Sequence, residues 1–279
     1  MVKKLLLIPS MVFALIAVNP ALSQKVPLPE TLHYADLADL SIDAPIIVHA
    51  TIKKAIKVDP ERSIGAPTGT QRFYIIATTN ALIRGQDAIP DTIRYVIDMP
   101  LDARGRTAKI KKKQFILFAK PIAGRPADIQ LAAKNAQIAW NPTVDARIRS
   151  LVREIVAQDA PPAIAGIANA FHVPGTIIGE GETQIFIETE SRDPVSITIL
   201  SRDGQKKTWA VSLGEIVDEA AEAPNRNSLL WYRLACFLPR ELPYNALNGD
   251  SPANANRARR DYQLVIRDLG NCPRSRRNF

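Results

Sequence analysis

Two cysteines, three histidines and no stretch of twenty apolar residues are what this 279-residue chain has to offer in those categories, and each shortage removes a class of function. Cys236 and Cys272 lie too far apart for the C-x-x-C spacing of a redox catalyst, and two thiolates alone do not complete a tetrahedral zinc site. With only His33, His49 and His172, metal and acid–base options are few, and the H-E-x-x-H and G-x-S-x-G patterns of zinc hydrolases and serine hydrolases do not occur. Gly175, Gly179 and Gly181 cluster, but no Lys-Ser/Thr pair follows and no helix opens after them, so backbone amides would not converge on a phosphate. There is no internal repeat and no long low-complexity tract. No cofactor is therefore expected.

The longest apolar run covers residues 5–18 and is broken by Pro9, so at about 14 residues it is too short to span a bilayer. Lys3 and Lys4 precede it, and Ala21-Leu22-Ser23 follows with small residues where a signal peptidase reads. Residues 1–23 therefore read as a signal peptide cleaved near Ser23. The expected product is periplasmic or secreted, with no transmembrane segment after cleavage. In such an oxidising compartment the even pair Cys236 and Cys272 reads as one intrachain disulfide, worth about 4 kcal/mol in the chain-entropy model.

What is present fits a folded chain: 46% hydrophobic and 23% charged residues, with a formal charge of +8. Residues 161–222 carry 4 basic and 10 acidic groups while both flanks are basic, which reads as charge complementarity within the molecule, worth little per exposed pair. The sharpest pattern lies in residues 179–217. Ile185 and Ile187, then Val195, Ile197 and Ile199, then Trp209, Val211 and Leu213 alternate with polar neighbours, and Asp193-Pro194 and Asp203-Gly204 mark the turns. This predicts a three-stranded antiparallel meander. Period two also sets in at residue 45, with Ile46, Val48, Ala50 and Ile52 on one face, and recurs over residues 73–79, 93–99, 114–119 and 129–133. A helix with Val144, Ile148, Leu151, Val152 and Ile155 on one side follows, capped by Thr143 and blocked by Pro161-Pro162. Ser228 caps a second helix through Cys236, and a third runs over residues 253–269 with Gly270 after its end.

These elements give the expected organisation: residues 24–44 a linker, 45–160 a five-stranded antiparallel β-barrel with a terminal helix, and 170–279 an α+β domain in which the meander carries two disulfide-linked helices. The fold class is α+β. Residues 160–169, rich in Ala, Pro and Gly, read as a flexible boundary. The succession of strands, the Leu82-Ile83-Arg84-Gly85 end of the second, the lysine-rich approach to Gln114-Phe115-Ile116-Leu117-Phe118 and the closing helix resemble the small OB-like barrels of netrin-type secreted domains over residues 44–158. That resemblance implies a binding role in place of catalysis.

Two groups of residues are candidates for function. Arg104, Arg106, Lys109, Lys111, Lys112 and Lys113 put six cations in a run without an acid, a pattern that attracts phosphates or sulfates; in an exported protein the expected partner is an anionic envelope polymer or another envelope protein, and nucleic acid is disfavoured. His172 precedes a glycine-rich turn with Glu180 and Glu182, which could join it as a junction site. The functional expectation is an exported non-catalytic envelope-associated or binding protein; the alternative is a periplasmic hydrolase with its site at the domain junction near His172.

Overall fold

The strand that begins at Ile46 is buried on both sides, and the molecule is built outward from it. The computed structural model describes residues 32–214 and 222–275. The expected signal segment 1–23, the first part of the expected 24–44 linker, the end of the 179–217 run, and Arg276 and Arg277 lie outside the described residues. Strand β1 (Ile46–Lys57) turns Val48, Ala50 and Ile52 into one core and Ile47 into another, so its alternation divides two apolar clusters between its faces.

β1 pairs antiparallel with β2 (Thr70–Arg84) on one side and β4 (Gln114–Ile122) on the other. β3 (Thr92–Pro100) pairs antiparallel with β2, and β5 (Arg125–Leu131) with β4. The ring closes where β3 and β5 meet at Arg94 and Asp128, and that pairing is parallel. The barrel is thus mixed and not purely antiparallel as expected, for a geometric reason: up and down cannot alternate around a ring with an odd number of strands, so five must include one parallel pair. The long connection at residues 101–113 places β4 beside β1, and β5, folding back from β4, then runs the same way as β3. Phe73, Ile75, Ile93, Tyr95, Phe115, Leu117 and Ile129 fill the interior. A short β6 (Gln137–Ala139) extends the sheet beyond β4.

Helix α2 (Pro142–Val156) starts two residues earlier than the Thr143 cap predicts, with Asn141 accepting from the Val144 amide at 2.9 Å. Its Ile148, Leu151 and Val152 pack in the outer cluster with Ile47, Ile116 and Phe118, against the outside of the barrel. Phe115 and Phe118 fall on opposite faces of β4, one in each core, as their spacing predicts.

Among the described residues the second sheet has four strands, one more than the three of the expected meander. β7 (Ile164–Pro174) precedes β8 (Gly181–Thr189), β9 (Val195–Ser201) and β10 (Thr208–Ser212), all antiparallel in the order β10-β9-β8-β7. Most of the stretch expected to be a flexible boundary is therefore strand. Its alternation was hidden because alanines and a glycine occupy the alternating positions, yet Ile164, Ile167 and Ala170 are buried. Residues assigned to the linker also fold: α1 (Tyr34–Asp43) buries Ala35, Leu37, Ala38 and Leu40 in the outer cluster.

Helices α3 (Leu229–Phe237) and α4 (Pro252–Leu269) follow. Ser228 accepts from the Trp231 amide, and Glu154 of α2 accepts from the Leu229 amide at 2.7 Å, so a neighbouring helix helps cap α3. Trp231 is buried and its indole donates to the Leu269 carbonyl at 2.9 Å; Trp209 is only half-buried and donates to Asp268. Gly270 ends α4 with φ at 71°, a conformation that favours glycine. Cys236 and Cys272 are bonded, with Cα atoms 5.2 Å apart, joining the end of α3 to the exit of α4. The chain then returns to α1: Arg274 donates to Asp39 at 2.7 Å, and Ser275 bonds Asp36 through backbone and hydroxyl. Among the described residues no helix is long and apolar enough to cross a membrane.

Candidate functional site

The residues of the expected junction site are separated by the pleat of the second sheet. β7 and β8 pair His172 with Thr183 and Val173 with Glu182, so the two pairs point to opposite faces. Glu180 and Glu182 line an outer hollow of about 550 Å³ with Phe171, Val173 and Arg202, whereas His172, 3% exposed, faces the core. Glu182 there accepts from the Gln184 amide at 2.5 Å.

His172 instead joins a buried polar chain that the sequence did not announce. Its Nδ1 lies 2.9 Å from Thr183 Oγ1, Thr183 donates to Asp261 Oδ2 at 2.6 Å, and Lys207 pairs with the other oxygen of Asp261. The His172 amide donates to Asp250. Since the threonine hydroxyl has one hydrogen and gives it to Asp261, it accepts from Nδ1–H, which leaves Nε2 as the bare ring nitrogen. Among the described residues Nε2 has no hydrogen-bond partner, and it faces Gly181, where an added Cβ would lie 2.8 Å from the ring. Burial holds the His172 pKa below its usual value, against the opposing pull of Asp261. In a hydrolytic triad the imidazole sits between carboxylate and hydroxyl and takes the hydroxyl proton. Here the threonine sits between them and the imidazole donates, so this chain has the wiring of a structural network.

The six cations of the predicted anion site are all exposed, in the connection between β3 and β4. Arg106 meets Asp102 at 3.4 Å, and Asp102 also accepts from the amides of Arg104 and Arg106; the Arg106 amide is the main cause that holds its carboxyl below the ordinary range. Ile110 anchors the connection in the barrel core. Lys112 and Lys113 are tied to β1 through the Ile52 carbonyl and amide, at 2.8 and 3.0 Å.

One further concavity was not foreseen. It is a cleft of about 760 Å³ on the outer face of β2, β3 and β5, bounded by the β1–β2 loop at Pro67 and the β4–β5 turn at Ile122 and Arg125. Its lining is chiefly apolar, with Tyr74, Val96, Ile122 and Leu131 at the surface and the interior residues Tyr95, Ile97 and Ile129 beneath them, and two ion pairs cross it. Arg72 grips Asp98 with two bonds of 2.7 and 2.8 Å, which holds the Asp98 carboxyl below its ordinary range, and Arg94 Nε lies 2.6 Å from Asp128. Arg125 and Lys134, both exposed, stand at the rim without a paired carboxylate among these bridges. In sequence, Arg72, Arg94, Asp98 and Asp128 look like ordinary solvent-facing strand positions. Only the β2–β3 register, which sets Arg72 opposite Asp98, and the parallel contact of Arg94 with Asp128 show that they share one surface.

Among the described residues no group of three or more His, Cys, Asp or Glu side chains could hold a metal. No protein-family model matches the chain, and no curated protein matches it.

Proposed function

We propose that the chain is an exported, non-catalytic binding module of the cell envelope, with an OB-like barrel whose outer face seats an anionic oligosaccharide. The cleft on β2, β3 and β5 carries this reading: it joins an apolar floor, suited to sugar-ring faces, to two exposed cations at the rim, neither of them in a salt bridge among the described residues. The resemblance to OB-like barrels adds support, because such barrels bind oligosaccharides and oligonucleotides on the strand 2–3 face between the first and last loops. The Cys236–Cys272 bond supports export, as does the leader-like pattern of residues 1–23. Export in turn favours an envelope glycan over a nucleic acid. The hydrolase alternative requires an imidazole that substrate can reach, and the burial of His172, with its bare Nε2 set against Gly181, weighs against that.

Calorimetric titration with a uronic-acid oligomer tests the reading. Binding should weaken roughly tenfold or more in the R125Q/K134Q variant, given about 1 kcal/mol for each exposed charge contact. The His172→Gln variant should bind as the parent does. An affinity unchanged in R125Q/K134Q contradicts the cleft as the site.

A further inference from the structure

The free end of the barrel combines exposed cations with exposed aliphatic side chains, and the two features together identify a second surface that meets the cleft at Pro67. β1 ends at Lys57 and β2 begins at Thr70, which pairs with Pro100 at the end of β3; the Leu101 amide donates to the Gly69 carbonyl at 2.9 Å. The Ile52 bonds to Lys112 and Lys113 bring the start of β4 to the same end. Residues 53–69 and 101–113 therefore form one rim, and they hold ten Lys and Arg against three Asp and Glu. Basic side chains from β1, Lys53, Lys54 and Lys57, thus join the lysines that the sequence singled out.

This rim also shows apolar side chains to solvent. Ile64 is 87% exposed, Ile56 48% and Leu101 38%. Ile64 does not hang on a loose loop. Its carbonyl accepts from Arg72 Nη1 at 3.0 Å, Arg72 is itself gripped by Asp98, and the Ala66 amide donates to the Ser63 carbonyl across the turn. An aliphatic side chain held out on a fixed backbone, at an end of the barrel rich in cations, has no role in holding the fold. It matches the chemistry of an anionic bilayer surface, where apolar residues enter the boundary between headgroups and acyl chains while lysines and arginines meet lipid phosphates.

We propose that this end of the barrel docks on anionic phospholipid, with Ile64 as the inserted residue and Lys53, Lys54 and residues 111–113 as the headgroup contacts. A soluble polyanion would engage the lysines and be indifferent to Ile64, so the isoleucine distinguishes a bilayer from a glycan chain. The surface stands apart from the cleft in its test, which leaves Arg125 and Lys134 in place.

Flotation with phosphatidylcholine vesicles, with and without phosphatidylglycerol, measures the partitioning of the exported protein and its variants, which share one N-terminus. The parent should partition onto the anionic vesicles and much less onto neutral ones, with the difference shrinking at high salt. K111Q/K112Q/K113Q should lose roughly a hundredfold, at about 1 kcal/mol for each cation near the surface. Ile64→Ser should lose roughly tenfold, in line with partial burial of one aliphatic side chain. All four positions are exposed, so thermal melts of both variants should match the parent. Emission from an Ile64→Trp variant should shift to the blue when anionic vesicles are added. Equal partitioning onto neutral and anionic vesicles, or a loss in the lysine variant with none in Ile64→Ser, overturns the proposal; the second outcome would assign the lysines to a soluble polyanion instead.

Discussion

Thr183 gives its only hydroxyl proton to Asp261, and this one bond decides the state of His172 beside it. The imidazole is held neutral by burial, so the sign of its effect on stability is fixed. Its folded pKa lies below the unfolded value of about 6.5, so below that pH the unfolded chain takes a proton that the folded chain excludes. Stability should be flat above this window and fall as pH drops through it, at up to about 1.4 kcal/mol per pH unit from this group. Asp261, Lys207, Arg257 and Asp250 surround the ring and set how far the window extends. Urea melts from neutral to mildly acid pH check this, and His172→Gln, which can still donate to Thr183, should flatten the curve. A parent curve as flat as the variant's would show that the ring titrates freely. Gly181 is tied to the same site. Gly181→Ala puts a Cβ 2.8 Å from the ring and 2.9 Å from the Val173 carbonyl and should cost about 1–3 kcal/mol, read from the urea midpoint. None of this was legible beforehand, because Thr183 and Asp261 are 78 positions apart and nothing local marks them as partners.

At the scale of elements, the sequence was legible wherever one face of a segment is clearly apolar and its ends are punctuated. The three strands of the meander, the Ser228 cap, the Gly270 stop and the Cys236–Cys272 bond all follow from alternation, capping or compartment. It was not legible where small residues form the buried face. α1 turns Ala35 and Ala38 inward together with Leu37 and Leu40, and β7 turns Ala170 inward beside Ile164 and Ile167 while Ala165 and Ala168 on its exposed face give no polar contrast. Alanine gives neither a strong helical stripe nor a strong strand alternation, so burial there becomes visible only through the neighbours that cover it. The structural account makes α1 a core element. Leu37→Ala should therefore cost about 2–5 kcal/mol, where a linker residue would cost almost nothing. Trp231→Ala should cost about 3–5 kcal/mol and Trp209→Ala clearly less, since only the first is buried. Replacing both cysteines by serine should cost about 2–4 kcal/mol and loosen the return of Arg274 and Ser275 to α1. Chemical denaturation followed by tryptophan emission measures each of these.

Across the whole molecule, β1 and β4 belong to two cores at once. Val48 and Leu117 face the barrel interior, while Ile47, Ile116 and Phe118 join the outer cluster that reaches Ile185, Ile197 and Trp231. Phe118→Ala should accordingly lower the stability of both sheets in a single transition, by about 3–5 kcal/mol. This layout buries the barrel's β1–β4 side beneath helices and leaves β2, β3 and β5 facing outward with the cleft. The open barrel face is thus the surface proposed for recognition of the oligosaccharide. Amide-resolved NMR during titration with a uronic-acid oligomer tests it most directly. The account predicts shifts confined to β2, β3, β5 and the turn at Arg125, saturating with ligand and lost in R125Q/K134Q. Shifts gathered around His172 and Thr183, with β2 and β3 unmoved, would contradict it.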